Sequence, residues 1–160
     1  MSKNSATLDN LQKALSMEML AVQQYLLHAH VLDDWGLDML ADKMREEMHE
    51  ELGHAGRFID RILFLNGTPE VVAEKAPKKA ESLAGMFKAD LGEEKNAIAF
   101  YTKASEDAAK ESDIGSRRLF EEIALDEEGH MSWLDLQLDL LDRMGEPAFI
   151  ARHMSAGGAE

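Results

Sequence analysis

Two short motifs, Glu51-Leu52-Gly53-His54 and Glu127-Glu128-Gly129-His130, repeat one pattern, and the offset that carries Glu51 onto Glu127 also matches positions well outside them. It carries Leu15 onto Leu91, Glu18 onto Glu94, Ala21 onto Ala97, Tyr25 onto Tyr101 and Leu65 onto Leu141. A lone glutamate therefore precedes each Glu-x-x-His by the same interval, Glu18 before Glu51 and Glu94 before Glu127. On an α-helix, positions i and i+3 share a face, so each motif aims one carboxylate and one imidazole in the same direction. The chain reads as two copies of one helical hairpin, each bringing two carboxylates and a histidine.

Apolar periodicity outlines the hairpins. Leu8, Leu11, Leu15, Val22, Tyr25, Ala29 and Leu32 form one stripe of a first helix, with Thr7 as candidate N-cap and Gly36 as the stop after about Trp35. A second helix carries Leu40, Met44, Met48, Ala55, Ile59, Ile62 and Leu63 to Asn66-Gly67, and Thr68-Pro69 ends it. From Gly67 to about Glu81 the pattern breaks, with Pro69, Pro77 and the Lys75, Lys78, Lys79 cluster. So long a connection in a helical protein predicts a crossover along a bundle. A third helix is predicted from near Ser82 to about Glu111, and a fourth, capped from among Ser112, Asp113 and Ser116, to Gly145. After Pro147 a short fifth helix is predicted over Ala148 to Met154, and Ser155 to Glu160 has the composition of a frayed end. The expectation is an all-α chain, one domain over residues 1–160: a four-helix bundle with a long crossover between helices two and three and a short C-terminal helix.

Glu18 and Glu51 stand at similar separations from Gly36 on either side, so they fall nearly level in an antiparallel hairpin, and the repeat places Glu94 and Glu127 likewise. Four carboxylates and two imidazoles can then meet in mid-bundle. Unpaired carboxylates in an apolar interior cost several kcal/mol each. Two divalent cations would balance four negative charges, and mixed carboxylate and imidazole donors suit iron or manganese. A single Glu-x-x-His is usually a solvated helix face. Two of them, with matched glutamates and apolar neighbours, point to a dinuclear site of Glu18, Glu51, His54, Glu94, Glu127 and His130.

Other residues stay open between roles. Tyr25 lies two turns from Glu18 on its face, where it can bond a ligand or donate an electron, or simply fill the core. His28, His30 and His49 read as surface residues or as supports behind the ligands. Glu46, Glu47 and Glu50 form either a solvated stripe or a relay for cations. The ten methionines read as core filler. A chain without cysteine excludes disulfides, thiolate metal sites and thiol catalysis. A net charge of −14 repels phosphate backbones, so nucleic acid is not an expected partner. Neither a signal segment nor a membrane span is expected, and a cytoplasmic location is the simplest reading.

The stretches Gln23-Gln24-Tyr25-Leu26-Leu27-His28-Ala29, Arg61-Ile62-Leu63-Phe64-Leu65-Asn66-Gly67 and Asp126-Glu127-Glu128-Gly129-His130 with Trp133 resemble bacterioferritin, over nearly the whole chain from Leu8 to Gly145. The resemblance implies a ferritin-like bundle, with the six residues above as ferroxidase ligands and none missing. It further implies a homo-oligomeric shell of twenty-four subunits that oxidises Fe(II) with O2 or H2O2 and stores ferric mineral. An inner-surface pair that assists iron transfer in the family falls on Glu46 and Glu50. Bacterioferritins hold haem between two subunits through a methionine directly after the second-helix glutamate. That position is Leu52, which cannot ligate iron, and Met48 is a poorly placed substitute. The expectation is a haem-free homomer, or the ferroxidase subunit of a mixed shell whose second subunit binds haem. A rubrerythrin-like di-iron peroxidase is the alternative enzyme, and lacks its usual cysteine-bound iron here. A DNA-protecting mini-ferritin would place its ligands across a subunit interface. A metal-free structural bundle is the non-enzymatic rival.

Overall fold

The computed structural model describes residues 5–155, so the expected frayed end, Ser155 to Glu160, lies outside the described residues except for Ser155 itself. Five helices follow one another: α1 (Ser5–Asp34), α2 (Asp38–Phe64), α3 (Leu83–Lys110), α4 (Ile114–Met144) and α5 (Glu146–Arg152). Helices α1 and α2 pair along their length, as do α3 and α4, and the two hairpins meet through α1 with α3 and α2 with α4. The expected all-α bundle, crossover and short last helix are all present. Among the described residues no helix is long and apolar enough to cross a membrane.

Each hairpin turn uses a left-handed residue at the same repeat position. Gly36 has φ 80°, and the Leu37 N–H donates to the Leu32 carbonyl at 2.8 Å. Its repeat partner Ser112 has φ 59°, and the Asp113 N–H donates to the Ala108 carbonyl at 2.9 Å. Ser112 thus closes α3 rather than capping α4. Asp113 is the cap, accepting the Ser116 N–H at 2.9 Å. Thr7 is likewise not a cap. It lies inside α1, where its N–H and hydroxyl both donate to the Glu111 carboxylate, at 3.2 and 2.5 Å. The fifth helix begins two residues earlier than expected, because Pro147 sits in its first turn, where a missing N–H costs nothing.

The crossover runs along α1, held by two glutamines that each bond a backbone unit both ways. Gln12 donates to the Glu70 carbonyl and accepts its N–H, both at 2.8 Å. Gln24 donates to the Lys78 carbonyl at 2.8 Å and accepts its N–H at 3.0 Å. Gly67 starts this path, and a Cβ there would lie 2.9 Å from side-chain carbons of both Ile62 and Leu8.

The core falls into two apolar clusters. One gathers Leu32, Leu40, Met44, Phe87, Leu134 and Phe149 toward the α1–α2 turn and α5. The other gathers Leu11, Leu15, Phe58, Tyr101, Phe120 and Ile123 toward the opposite end. A layer of buried charge separates them.

Candidate metal centre

That layer contains all six expected ligands, from four helices, none more than 6% exposed: Glu18, Glu51, His54, Glu94, Glu127 and His130. Their donor atoms form two overlapping groups, Glu18/Glu51/His54/Glu127 and Glu51/Glu94/Glu127/His130, each within 4.8 Å. Glu51 and Glu127 belong to both. Each offers one oxygen to either histidine. Nδ1 of His54 lies 3.0 Å from Glu127 Oε1 and 3.3 Å from Glu51 Oε2. Nδ1 of His130 lies 2.9 Å from Glu51 Oε1 and 3.2 Å from Glu127 Oε2. The lone glutamates stand at the outer ends: Glu18 is 3.7 Å from His54 Nδ1, and Glu94 is 3.5 Å from His130 Nδ1. The two imidazoles are nearly parallel, with centroids 6.3 Å apart.

The electrostatics are those of a crowded cage. Burial, and then the neighbouring Glu51, push the Glu18 carboxyl well above its ordinary value. Burial, and then Glu127, do the same to Glu94. Burial disfavours a charged His54 or His130, yet contacts led by Glu127 outweigh it and raise both far above the histidine range. Burial opposes the Glu127 charge as well, but its close contacts with Glu94, His130 and His54 hold this carboxyl low. Glu51 Oε1, Glu127 Oε1 and His130 Nδ1 are nevertheless buried without a hydrogen-bond partner. Orphaned donor atoms facing a common centre fit metal ligation, and four carboxylates balance two divalent ions.

Tyrosines close the cage in a pattern the sequence reading missed. Tyr25 does not bond Glu18 on its own helix; its hydroxyl donates to Glu94 Oε1 of the other hairpin at 2.6 Å. Tyr101, its repeat partner, donates to Glu18 Oε1 at 2.5 Å. The offset from Tyr25 was the signal that could have found Tyr101. Behind Tyr25, buried His28 contacts Asp90 at 3.0 Å, and Asp90 had given no sequence signal. His30 and His49 are exposed.

The acidic stripe divides by helix face. Glu46 points away, its side chain 72% exposed and paired with Lys43 at 3.2 Å. Glu50 accepts from His130 Nε2 at 2.8 Å, and buried Glu47 lies at the same distance from that nitrogen. On the other side Asp126 contacts His54 Nε2 at 3.0 Å. A cavity of about 60 Å³ beside α1 and α3 reaches Glu18, Glu94 and Glu127, and Lys75 of the crossover, bridged to Glu93 at 3.1 Å, also lines it. Leu52 is half-exposed on the outer face of α2, while Met48 packs against the bundle's own core.

Residues 8–144 match the ferritin-like domain family. The bacterioferritin of Brucella melitensis is 40% identical over 89% of this chain and 88% of its own length. That of Rhodobacter capsulatus is 38% identical, covering 93% of this chain and 92% of the relative. A solved structure of the Rhodobacter capsulatus protein, described with a metal-free dinuclear site and a haem iron, superposes with a TM-score of 0.92 at 36% identity over 96% of both chains. The Mycobacterium tuberculosis bacterioferritin BfrA also gives 0.92, at 33% identity over 97% of this chain and 98% of that one. The chain belongs to the ferritin-like family of iron-storing proteins, and within it to the bacterioferritins.

Proposed function

We propose that each subunit oxidises Fe(II) to Fe(III) with O2 or H2O2 at an intrasubunit dinuclear centre and passes the product to ferric mineral in a hollow homo-oligomeric shell. The observation that carries this reading is the bridging geometry: Glu51 and Glu127 each present one oxygen to each half of the site. Two Fe(II) ions as substrate supply two electrons, which with two protons reduce O2 to H2O2, or H2O2 to two waters.

The side chains have distinct parts. Glu18 with His54, and Glu94 with His130, would hold one iron each, and Glu51 and Glu127 would serve both. The Tyr25 and Tyr101 hydroxyls each hold Oε1 of a terminal carboxylate, and so fix Glu94 and Glu18 in position at the two ends of the cage. The two apolar clusters keep bulk water from the layer and strengthen every charge interaction within it. Because the surrounding carboxylates favour the protonated imidazolium of both histidines without metal, iron must displace protons to bind.

Haem does not fit this chain as a homomer, since Leu52 offers no lone pair and Met48 turns inward. The domain is taken to span residues 1–160, and a shell of twenty-four subunits is the assembly expected. Anaerobic titration should show two Fe(II) per subunit. Glu94→Ala and His130→Ala should abolish rapid oxidation on mixing with air while the helical circular dichroism is kept. Wild-type oxidation rates in the Glu94→Ala, Glu127→Ala double variant would sink the assignment.

A further inference from the structure

Each Glu-x-x-His is preceded by an acidic residue, Glu50 before Glu51 and Asp126 before Glu127, so these two are related by the same repeat. Neither serves the histidine of its own motif. Asp126 on α4 faces His54 on α2, its Oδ2 3.0 Å from Nε2. Glu50 on α2 faces His130 on α4, its Oε2 2.8 Å from Nε2. Glu47 Oε2 is also 2.8 Å from that nitrogen, but without hydrogen-bond geometry, so Glu50 is the partner. The outer nitrogen of each ring is thus bonded by the opposite hairpin, while its inner nitrogen, Nδ1, faces the carboxylate cage. The tyrosines repeat this exchange, Tyr25 serving Glu94 and Tyr101 serving Glu18.

We infer that Asp126 and Glu50 are reciprocal positioning residues that hold the Nε2–H of His54 and His130, leaving Nδ1 of each ring free to bind metal. This rests on the dinuclear reading above. A ligating imidazole has one nitrogen for the metal, and the bond made by the other sets tautomer and ring orientation. A carboxylate accepts only, so it selects the Nε2–H form. An amide in its place can donate to Nε2 and favour the opposite tautomer, which puts a proton where the metal must sit. Glu50 and Asp126 are 47% and 44% exposed at their side chains, so amide substitution leaves the core packing untouched. Loss of such a partner generally costs about 10–100-fold in metal affinity. The geometry assigns the loss crosswise: a change on α4 weakens the metal at the α2 histidine, and a change on α2 weakens the metal at the α4 histidine.

The test uses the full chain, Co(II) titration by calorimetry and d–d absorption, and ¹⁵N-histidine NMR of the Zn(II)-loaded protein. Wild type should take two ions, with both cage histidines carrying their proton on Nε2. Asp126→Asn should keep one tight ion and lose about 10–100-fold on the other, with only the His54 tautomer disturbed. Glu50→Gln, made with Glu47→Gln so that no neighbour substitutes, should do the same at His130. Asp126→Glu should restore wild-type binding, because the other half of the site already uses glutamate there. Glu128→Gln, an equal charge loss on exposed α4 surface, should change neither readout. Two ions in wild type with unchanged affinity and tautomers in the variants overturn this inference alone. A wild type that binds no pair of ions overturns the dinuclear reading and this inference with it.

Discussion

Under the proposed function, protons and metal compete for the same atoms in this cage. Below the unfolded values, 4.5 for glutamate and 6.5 for histidine, the folded cage and the unfolded chain are equally protonated at Glu18, Glu94, His54 and His130. Above them the unfolded chain releases those protons while the folded cage retains them, so stability is lost progressively as pH rises toward the raised folded values. Metal-free protein should therefore melt at falling temperature between pH 6.5 and 9. Excess Zn(II) should flatten or reverse that slope, because metal takes the places of the protons; differential scanning calorimetry at several pH values reads both. A metal-free Tm that rises over this range would contradict the raised values. Tyr101→Phe should cost about 1 kcal/mol of stability by removing the donor to Glu18, and thermal melts can check it. The six residues of the cage were legible in the sequence because helical spacing and the repeat both point at them. Which carboxylate Tyr25 would meet was not legible, because a helical wheel shows neighbours on one helix and its partner Glu94 arrives from another. The choice among Glu46, Glu47 and Glu50 turns on rotation about the α2 axis, which the sequence alone left open.

Among the elements, helix ends were the least legible part. Thr7 has the chemistry of a cap, but the carboxylate of Glu111, far away in the chain, takes over the end of α1. Asp113 was one of three candidates and is distinguished by tertiary structure, since Arg61 of α2 also pairs with it. Asp113→Ala removes the cap bond and the carboxylate that pairs with Arg61, so a loss of about 1–2 kcal/mol is expected in denaturant titration. The crossover was legible as a break in periodicity, and its path was not, because surface glutamines rather than apolar contacts guide it. Gln24→Ala removes both bonds to Lys78 and should speed hydrogen exchange over residues 74–79 while leaving the exchange of α4 unchanged.

For the whole molecule, the two apolar clusters explain why a fold can tolerate a charged layer. Each cluster is a continuous core in its own right, and the cage lies between them. On the outside, Leu26 and Leu52 leave apolar surface on the α1–α2 face. The chain expressed alone with ample haem should give a shell lacking a Soret band, and Leu52→Met should restore at least part of it. A stoichiometric bis-methionine spectrum from the unmodified homomer would refute this. Sedimentation should show a large closed particle; a stable monomer at micromolar concentration would count against storage.

Neither hairpin owns a complete half-site. The donor group around His54 includes Glu127 from α4, and the one around His130 includes Glu51 from α2. In this respect the protein is a heterodimer whose two members happen to be joined by a tether, and the tether supplies none of the six cage residues. Cutting the backbone in the crossover should then yield two complementary polypeptides that iron or zinc binds together. The nicked halves should stay associated through a gel-filtration column when metal is present and part more readily when it is chelated, so that the cargo itself acts as the fastener.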